Sequence, residues 1–464
     1  MSQTSSQTPA MVLERRISRL DAAAIVVGSM IGSGIFIVSA ETARLLGSPG
    51  ALLLTWAVAG ALTIAAALSC AELAAMLPRA GGQYVFFREA YGPLAGFLFG
   101  WTMFLVIQTG TIAAVAVAFA RFLGVLVPAV SEAGRLTAGP VSVSSVQVVA
   151  LTVIALLTTS NATGLKAGTR TQNVFTAAKV AALLGLMLAG LLLGTHAVLP
   201  ARGAFEARDA SGQMLSGLAL GAAFAAGLVG PLFSQSAWNN VAFAGEEVRD
   251  PGRSLPFALL FGCLIVTLLY VATNVAYLRA LPFEAVQHAP EDRVGTAAAA
   301  ALFGRAGAPL AAAAIMVSTF GCVNGLILSG ARVSFAMARD GLFFERLSRV
   351  NAARVPAAAL WLQAAWAGLL VLSGTYSQLI RYVVSVDLAL YVLLVVAVVV
   401  LRRRRPEWPR PFRTPAYPWL PLFYAAAGLG LIALLLAENP RGTWPGYAVL
   451  ASGVPAYFVW SRRS

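Results

Sequence analysis

Gly28-Ser29-Met30-Ile31-Gly32-Ser33-Gly34-Ile35-Phe36 interrupts the first long apolar run of the chain, and Phe233-Ser234-Gln235-Ser236-Ala237-Trp238-Asn239-Asn240, preceded by Gly227 and Gly230-Pro231, interrupts the sixth. Glycine is unfavourable inside a helix and frees the backbone to leave helical angles. Proline removes a backbone donor, and a polar run cannot face lipid. Each stretch therefore predicts a span unwound at mid-membrane, whose bared N–H and C=O groups must be satisfied by something other than lipid. Close packing of small residues would explain Gly28 taken alone. Two breaks at corresponding positions of two five-span halves predict instead an inverted-repeat transporter with its substrate where the breaks meet.

Composition sets the frame around those stretches. The chain has 464 residues, 59% hydrophobic and only 11% charged, where a soluble protein averages about a quarter charged. That excludes a soluble enzyme, a disordered protein and a secreted disulfide scaffold, and leaves an all-α integral membrane protein. The apolar runs are continuous, without the alternation of barrel strands. A span needs about 20 apolar residues. Twelve are expected, at roughly 18–46, 51–77, 93–127, 141–160, 169–194, 215–249, 255–279, 307–337, 356–374, 377–401, 417–437 and 443–460. The expected organisation is a cytoplasmic tail over 1–17 and one transmembrane domain over 18–460. Its inverted repeats cover spans one to five (about 18–194) and six to ten (about 215–401), and two further spans cover 417–460.

The net charge is +14. In a soluble chain that would suggest nucleic acid; here it reports topology, and no nucleic-acid partner is expected. With the N-terminus inside, 22 of the 33 basic residues fall on the inner side, 10 on the outer, and Lys179 is left within the membrane. The two-to-one excess places both termini in the cytoplasm. Residues 1–19 show no cleavable signal. Cys70, Cys263 and Cys322 all lie in apolar runs and the chain has two histidines, so neither a disulfide framework nor a metal site is expected. No cofactor motif is present.

The breaks suit a zwitterion. Free N–H groups at the start of a half-helix attract a carboxylate, and free carbonyls at the end of the preceding half attract an ammonium. An α-amino acid carries both groups.

Ile31-Gly-Ser-Gly-Ile-Phe36 resembles the first-span signature of the amino acid–polyamine–organocation superfamily. Four stretches narrow the likeness to its L-type amino acid transporter branch, and the lack of a cysteine over 128–142 resembles the prokaryotic members within it. The stretches are Glu72-Leu-Ala-Ala-Met-Leu-Pro-Arg-Ala-Gly-Gly-Gln-Tyr84, Thr176-Ala-Ala-Lys179-Val, Trp238-Asn239 with Gly245-Glu-Glu-Val-Arg-Asp-Pro-Gly-Arg-Ser-Leu-Pro256, and Phe320-Gly-Cys-Val-Asn324-Gly325. The resemblance runs from about residue 18 to 460.

It implies that the substrate carboxylate binds N–H groups of Ser33, Gly34 and Ile35, and that the ammonium binds carbonyls of Met30 or Ile31 and of Phe233, Ser234 and Ser236. The Phe233 ring would gate the outer side. Eukaryotic members pair with a glycoprotein through a cysteine between the third and fourth spans. Residues 128–142 hold none, so no disulfide-linked heavy chain is expected. The chain departs from the family in the sixth-span break, where relatives usually have an aromatic, small residues and a glycine before the tryptophan. Gln235, Ser236 and Ala237 stand there, which narrows the site and favours small substrates.

Single ionisable residues refine this. Lys179 lies about ten residues into a span, in a chain with only one other lysine, Lys166. A compact ammonium can imitate bound sodium in an oxygen cage, as a guanidinium cannot. Family position implies contacts with carbonyls of Gly28 or Ile31 and a hydroxyl of Ser318 or Thr319; a snorkelling lysine is the plainer alternative. Asp387 is also intramembrane and has three readings: an internal hydrogen bond, a proton carrier, or a partner for a cationic substrate. Glu72 reads as a structural partner of a loop arginine, Gln108 and Thr109 as pocket lining or interhelical contacts, and Trp238 and Asn240 as stabilising the sixth span.

The expectation is a sodium-independent secondary transporter, working as an exchanger of small neutral L-amino acids by alternating access in a bacterial inner membrane. The alternative is a proton-coupled or cationic amino acid or polyamine transporter using Asp387. A membrane enzyme, for which the chain holds no catalytic motif, and a channel or non-transporting sensor are the remaining classes.

Overall fold

The computed structural model describes residues 15, 17–79, 81–138, 141–163, 169–200, 203–209, 211–352, 355–374 and 376–461. Most of the tail expected over 1–17, and Lys166, lie outside them.

The first span is two helices, α1 (Arg19–Met30) and α2 (Gly34–Leu46), meeting at 46°. Ser18 and Asp21 form a capping box at the start of α1, satisfying otherwise orphaned N–H groups. Ser48 caps α3 (Pro49–Met76), and Pro49 occupies its first turn, where a missing N–H costs nothing. The loop helix α4 (Gln83–Tyr91) leads to the third span, α5 (Pro93–Thr102) and α6 (Gln108–Leu126), joined by a π-helical turn at Met103–Ile107.

Next comes a small antiparallel hairpin, β1 (Arg135–Ala138) and β2 (Val141–Ser144), so the chain is not wholly helical. The fourth span was expected from 141. The alternation Val141-Ser-Val-Ser144 has the period of a strand, and α7 (Ser145–Ala162) begins only after Ser144 caps it. The fifth span is α8 (Thr169–Leu193).

In the second half, α9 (Gly217–Ser234) runs into a break. The chain resumes only as a four-residue helix, α10 (Asn240–Phe243), and a 3-10 turn at Gly245–Glu247. The sixth span expected over 215–249 is thus a full helix on one side of its break only. There follow α11 (Pro251–Ala280), the connecting helices α12 (Phe283–Gln287) and α13 (Val294–Phe303), α14 (Gly307–Arg339), α15 (Ala357–Ser373), α16 (Tyr376–Arg404), α17 (Trp419–Glu438) and α18 (Pro440–Ser461).

Among the described residues, nine helical segments are long and apolar enough to cross a membrane, ten with the bent α1–α2 pair. The other two expected spans are shorter or more polar: α15 has 17 residues, and α18 carries Pro445 and Pro455.

Packing relates the two halves. α3 lies along α11, α6 along α14 and α7 along α15, while α2 meets α9 and α1 meets α10. Glu72, 1% exposed at the end of α3, ties this bundle to α16. Its carboxylate accepts two hydrogen bonds from Arg402, at 2.8 and 2.7 Å, and one from the Thr414 N–H at 2.7 Å. Arg410 lies 3.5 Å away. This is the structural partnership the sequence suggested.

Candidate functional site

Met30 ends α1, and Ile31 leaves the helix with φ −73° and ψ 95°. Ser33 caps α2 with its backbone but not with its side chain; its Oγ lies 3.1 Å from the Tyr376 hydroxyl. The N–H groups of Gly34 and Ile35 open α2 and have no partner within it, so the positive end of the half-helix points at the break. Gly34 is required by close approach. A Cβ there would fall 2.1 Å from Ser234 Oγ and 3.0 Å from Ser234 Cα.

The second break is held by short local bonds. Phe233 O accepts from the Ser236 N–H at 3.1 Å and from Ser236 Oγ at 2.7 Å. Ala237 has φ 65°, the left-handed region that glycine enters freely and alanine at a cost of about 1–2 kcal/mol. The alanine thus keeps the backbone angle a glycine would take and adds its methyl to the site.

Tyr270 of α11 joins the breaks: its hydroxyl donates to Met30 O at 2.8 Å and lies 3.2 Å from Ser234 O. Several carbonyls expected to hold an ammonium are therefore engaged already, each keeping a second lone pair. Tyr277 also reaches in, its hydroxyl donating to Ile35 O at 3.3 Å.

Between the breaks lies a small pocket. Met30, Ser33, Gly34, Phe233, Ser234 and Ser236, all expected here, line it. Ile31 and Ile35 are fully buried beside it but do not line it. The Phe233 ring stands edge-on to Tyr376, centroids 6.4 Å apart, and the Tyr376 hydroxyl contacts Ser33. Thr111 and Val115 of α6 and Cys322 and Leu326 of α14 complete the wall.

For Gln108 the interhelical reading holds, and the pocket expectations for Thr109 and Gln235 need correcting. Gln108 does not line this cavity. Its Nε2 donates to Leu326 O at 2.7 Å and Ser329 Oγ at 3.1 Å, tying α6 to α14, while Thr111, one turn on, faces the space. Thr109 bonds within its own helix, to Phe104 O at 2.8 Å. Gln235 turns away, donating to Trp56 O at 3.2 Å and accepting from Thr267 Oγ1 at 3.0 Å. It lines a second small cavity with Asp387, Trp238 and Tyr391, and Ser236 borders both. Trp238 is 1% exposed and stacks near Tyr391 at 5.1 Å, away from the first cavity.

Lys179 is 1% exposed and donates to Gly28 O, tethering α8 to the last turns of α1. The expected hydroxyl contact is not made. Thr319 bonds back to Ile315 O at 2.9 Å, and Ser318 Oγ is buried without a partner. Sequence reasoning missed Tyr270 and Tyr376, because a tyrosine in an apolar helix reads as core. It also missed Thr111 and Cys322, whose positions depend on how α6 and α14 are rotated.

The geometry is that of a multi-pass membrane protein with a small pocket where two broken helices meet. The amino acid permease family model matches residues 17–456, and the chain belongs to that family. The large neutral amino acids transporter small subunit 2 of Homo sapiens is 31% identical over 98% of this chain and 82% of its own length. The serine/threonine exchanger SteT of Bacillus subtilis is 30% identical over 97% and 98%. The b(0,+)-type amino acid transporter 1 of Mus musculus is 30% identical over 97% and 90%.

Proposed function

We propose that the protein is a sodium-independent exchanger of L-amino acids, small neutral ones preferred, that works by alternating access around the cavity between the two breaks. The observation that carries this is the meeting of the α2 N-terminus with the carbonyl ends of α1 and α9 around one small pocket. A positive helix end and a set of carbonyls suit the two ends of one zwitterion. In this reading Ser33 and Gly34 offer N–H groups to the carboxylate. Met30, Phe233, Ser234 and Ser236 offer carbonyls to the ammonium, Ile31 and Ile35 support them from behind the wall, and Phe233 with Tyr376 forms the outer lid.

The pairing of α3 with α11, α6 with α14 and α7 with α15 supports two five-span inverted repeats, since spans five apart would meet across a pseudo-two-fold axis. Twelve spans with both termini in the cytoplasm of a bacterium, in its inner membrane, complete the topology. The Lys179 ammonium on Gly28 O stands where a sodium ion would otherwise neutralise the carbonyls. The exchanger reading draws on SteT, a serine/threonine exchanger by name, and the size preference on the Ala237 methyl at the cavity wall. The absence of cysteine from 128–142 favours action without a disulfide-linked partner.

Competition for counterflow of labelled alanine in proteoliposomes tests the reading. Serine and glycine should compete better than leucine, tryptophan or arginine. The reverse order would refute the size argument, and no counterflow with any amino acid would refute the exchanger.

A further inference from the structure

Asp387 occupies the middle of α16 and is 8% exposed. It is the only charged residue among those lining the second cavity, whose wall is otherwise Thr63 and Ala66 of α3, Leu232, Gln235, Ser236 and Trp238 at the sixth-span break, Val384, Leu388 and Tyr391 of α16, and Tyr424 of α17. Tyr391, one turn away, lines the same cavity. The other titratable groups nearby are the phenol of Tyr424, the thiol of Cys70 on α3 and the phenol of Tyr447 on α18, which donates to Ser385 O at 2.7 Å. The nearest arginine on its helix, Arg381, is paired with Glu41 at 3.0 Å. A carboxylate enclosed in this way lacks a compensating cation.

The cavity shares Ser236 with the one between the breaks, and Gln235 and Trp238 of the same unwound segment, which flank Ser236 and the strained Ala237, line it. Ala237 holds φ 65°, and the Trp238 ring packs 5.1 Å from that of Tyr391. Any change in the break moves the surroundings of the carboxyl. Any change in its charge acts on Tyr391, which lines the same cavity and packs against Trp238.

We propose that Asp387 is a proton-binding site facing the unwound segment of the sixth span. A carboxylate oxygen takes a proton from water at one stage of the conformational cycle and returns it to water at another. The site is distinct from the substrate cavity, its ligand is the proton, and it drives or paces the movement of the break. The coupling to transport rests on the exchanger reading above; the titration of the carboxyl does not.

Infrared difference spectroscopy of the full chain in lipid bilayers reads the site directly. A carbonyl band of a neutral carboxylic acid should grow as pH is lowered from alkaline to acidic, and should vanish in Asp387→Asn. A difference spectrum unchanged by Asp387→Asn overturns the proposal. Should that variant fail to fold, Asp387→Glu serves: a band and midpoint that Asp387→Glu leaves unmoved overturn it equally.

In proteoliposomes, alanine counterflow by the native chain should vary several-fold over the same pH range, and Asp387→Asn should flatten the profile. A native rate indifferent to pH refutes the coupling. Loss of arginine competition in Asp387→Asn with no spectral change would make the carboxyl a substrate ligand and overturn the proposal. If no amino acid exchanges at any pH, the exchanger reading fails, and the infrared result alone decides the carboxyl.

Discussion

Gly34→Ala adds one carbon where two half-helices touch. The new Cβ would sit 2.1 Å from Ser234 Oγ, 2.8 Å from Ser234 Cβ and 3.0 Å from Ser234 Cα. The hydroxyl can swing aside, at the expense of its 2.9 Å bond to Gly230 O. Cβ and Cα cannot, so α2 and α9 must part by about half an ångström to reach ordinary contact. Overpacking of this kind costs about 1–3 kcal/mol, and here it falls on the N–H groups assigned to the carboxylate. Substrate affinity should drop about tenfold to a hundredfold, taking about 1.4 kcal/mol per factor of ten, while the protein stays folded.

Binding of labelled alanine to purified protein, with a thermal melt as folding control, measures this. Adding Ser234→Gly removes the two side-chain clashes and should restore part of the affinity, a coupling that a double-mutant cycle reads directly. A folded Gly34→Ala that binds as tightly as the native chain would refute the placement of the site at the first-span break.

Lys179→Ala should slow exchange more than it weakens binding, because it removes the tether to Gly28 O and no contact in the cavity; equal losses in both would contradict this. Ala237→Gly should relieve the φ 65° backbone and open the wall, so that leucine competes better against labelled alanine than in the native chain; unchanged competition would remove Ala237 from the size filter. Cys322 is the one cysteine lining the cavity, Cys70 and Cys263 being fully buried in the core. A small thiol reagent should therefore inhibit exchange, saturating substrate should slow the inhibition, and Cys322→Ser should abolish it; inhibition that persists in Cys322→Ser would place the reactive thiol elsewhere.

The breaks were legible because glycine, proline and clustered polar residues inside an apolar run have few structural explanations, and the structure unwinds both runs there. Lys179 was legible for the same reason, since an ammonium in an apolar helix must find carbonyls. Residues whose role depends on helix rotation were not. Gln108 and Thr111 lie three positions apart on α6, and only the packing of α14 decides which faces the cavity. Tyr270 belongs to an apolar helix like any core tyrosine until the fold sets its hydroxyl between two broken ends. The hairpin before α7 and the short helix after the sixth-span break differ from expectation because hydropathy reports apolar content and not where backbone hydrogen bonding stops.

Counterflow of labelled alanine into liposomes loaded with unlabelled alanine, in choline buffer free of sodium, tests the central claim most directly. The account predicts rapid accumulation that disappears when the internal amino acid is omitted and is unaffected by adding sodium. A requirement for sodium, or accumulation indifferent to the internal amino acid, would contradict it.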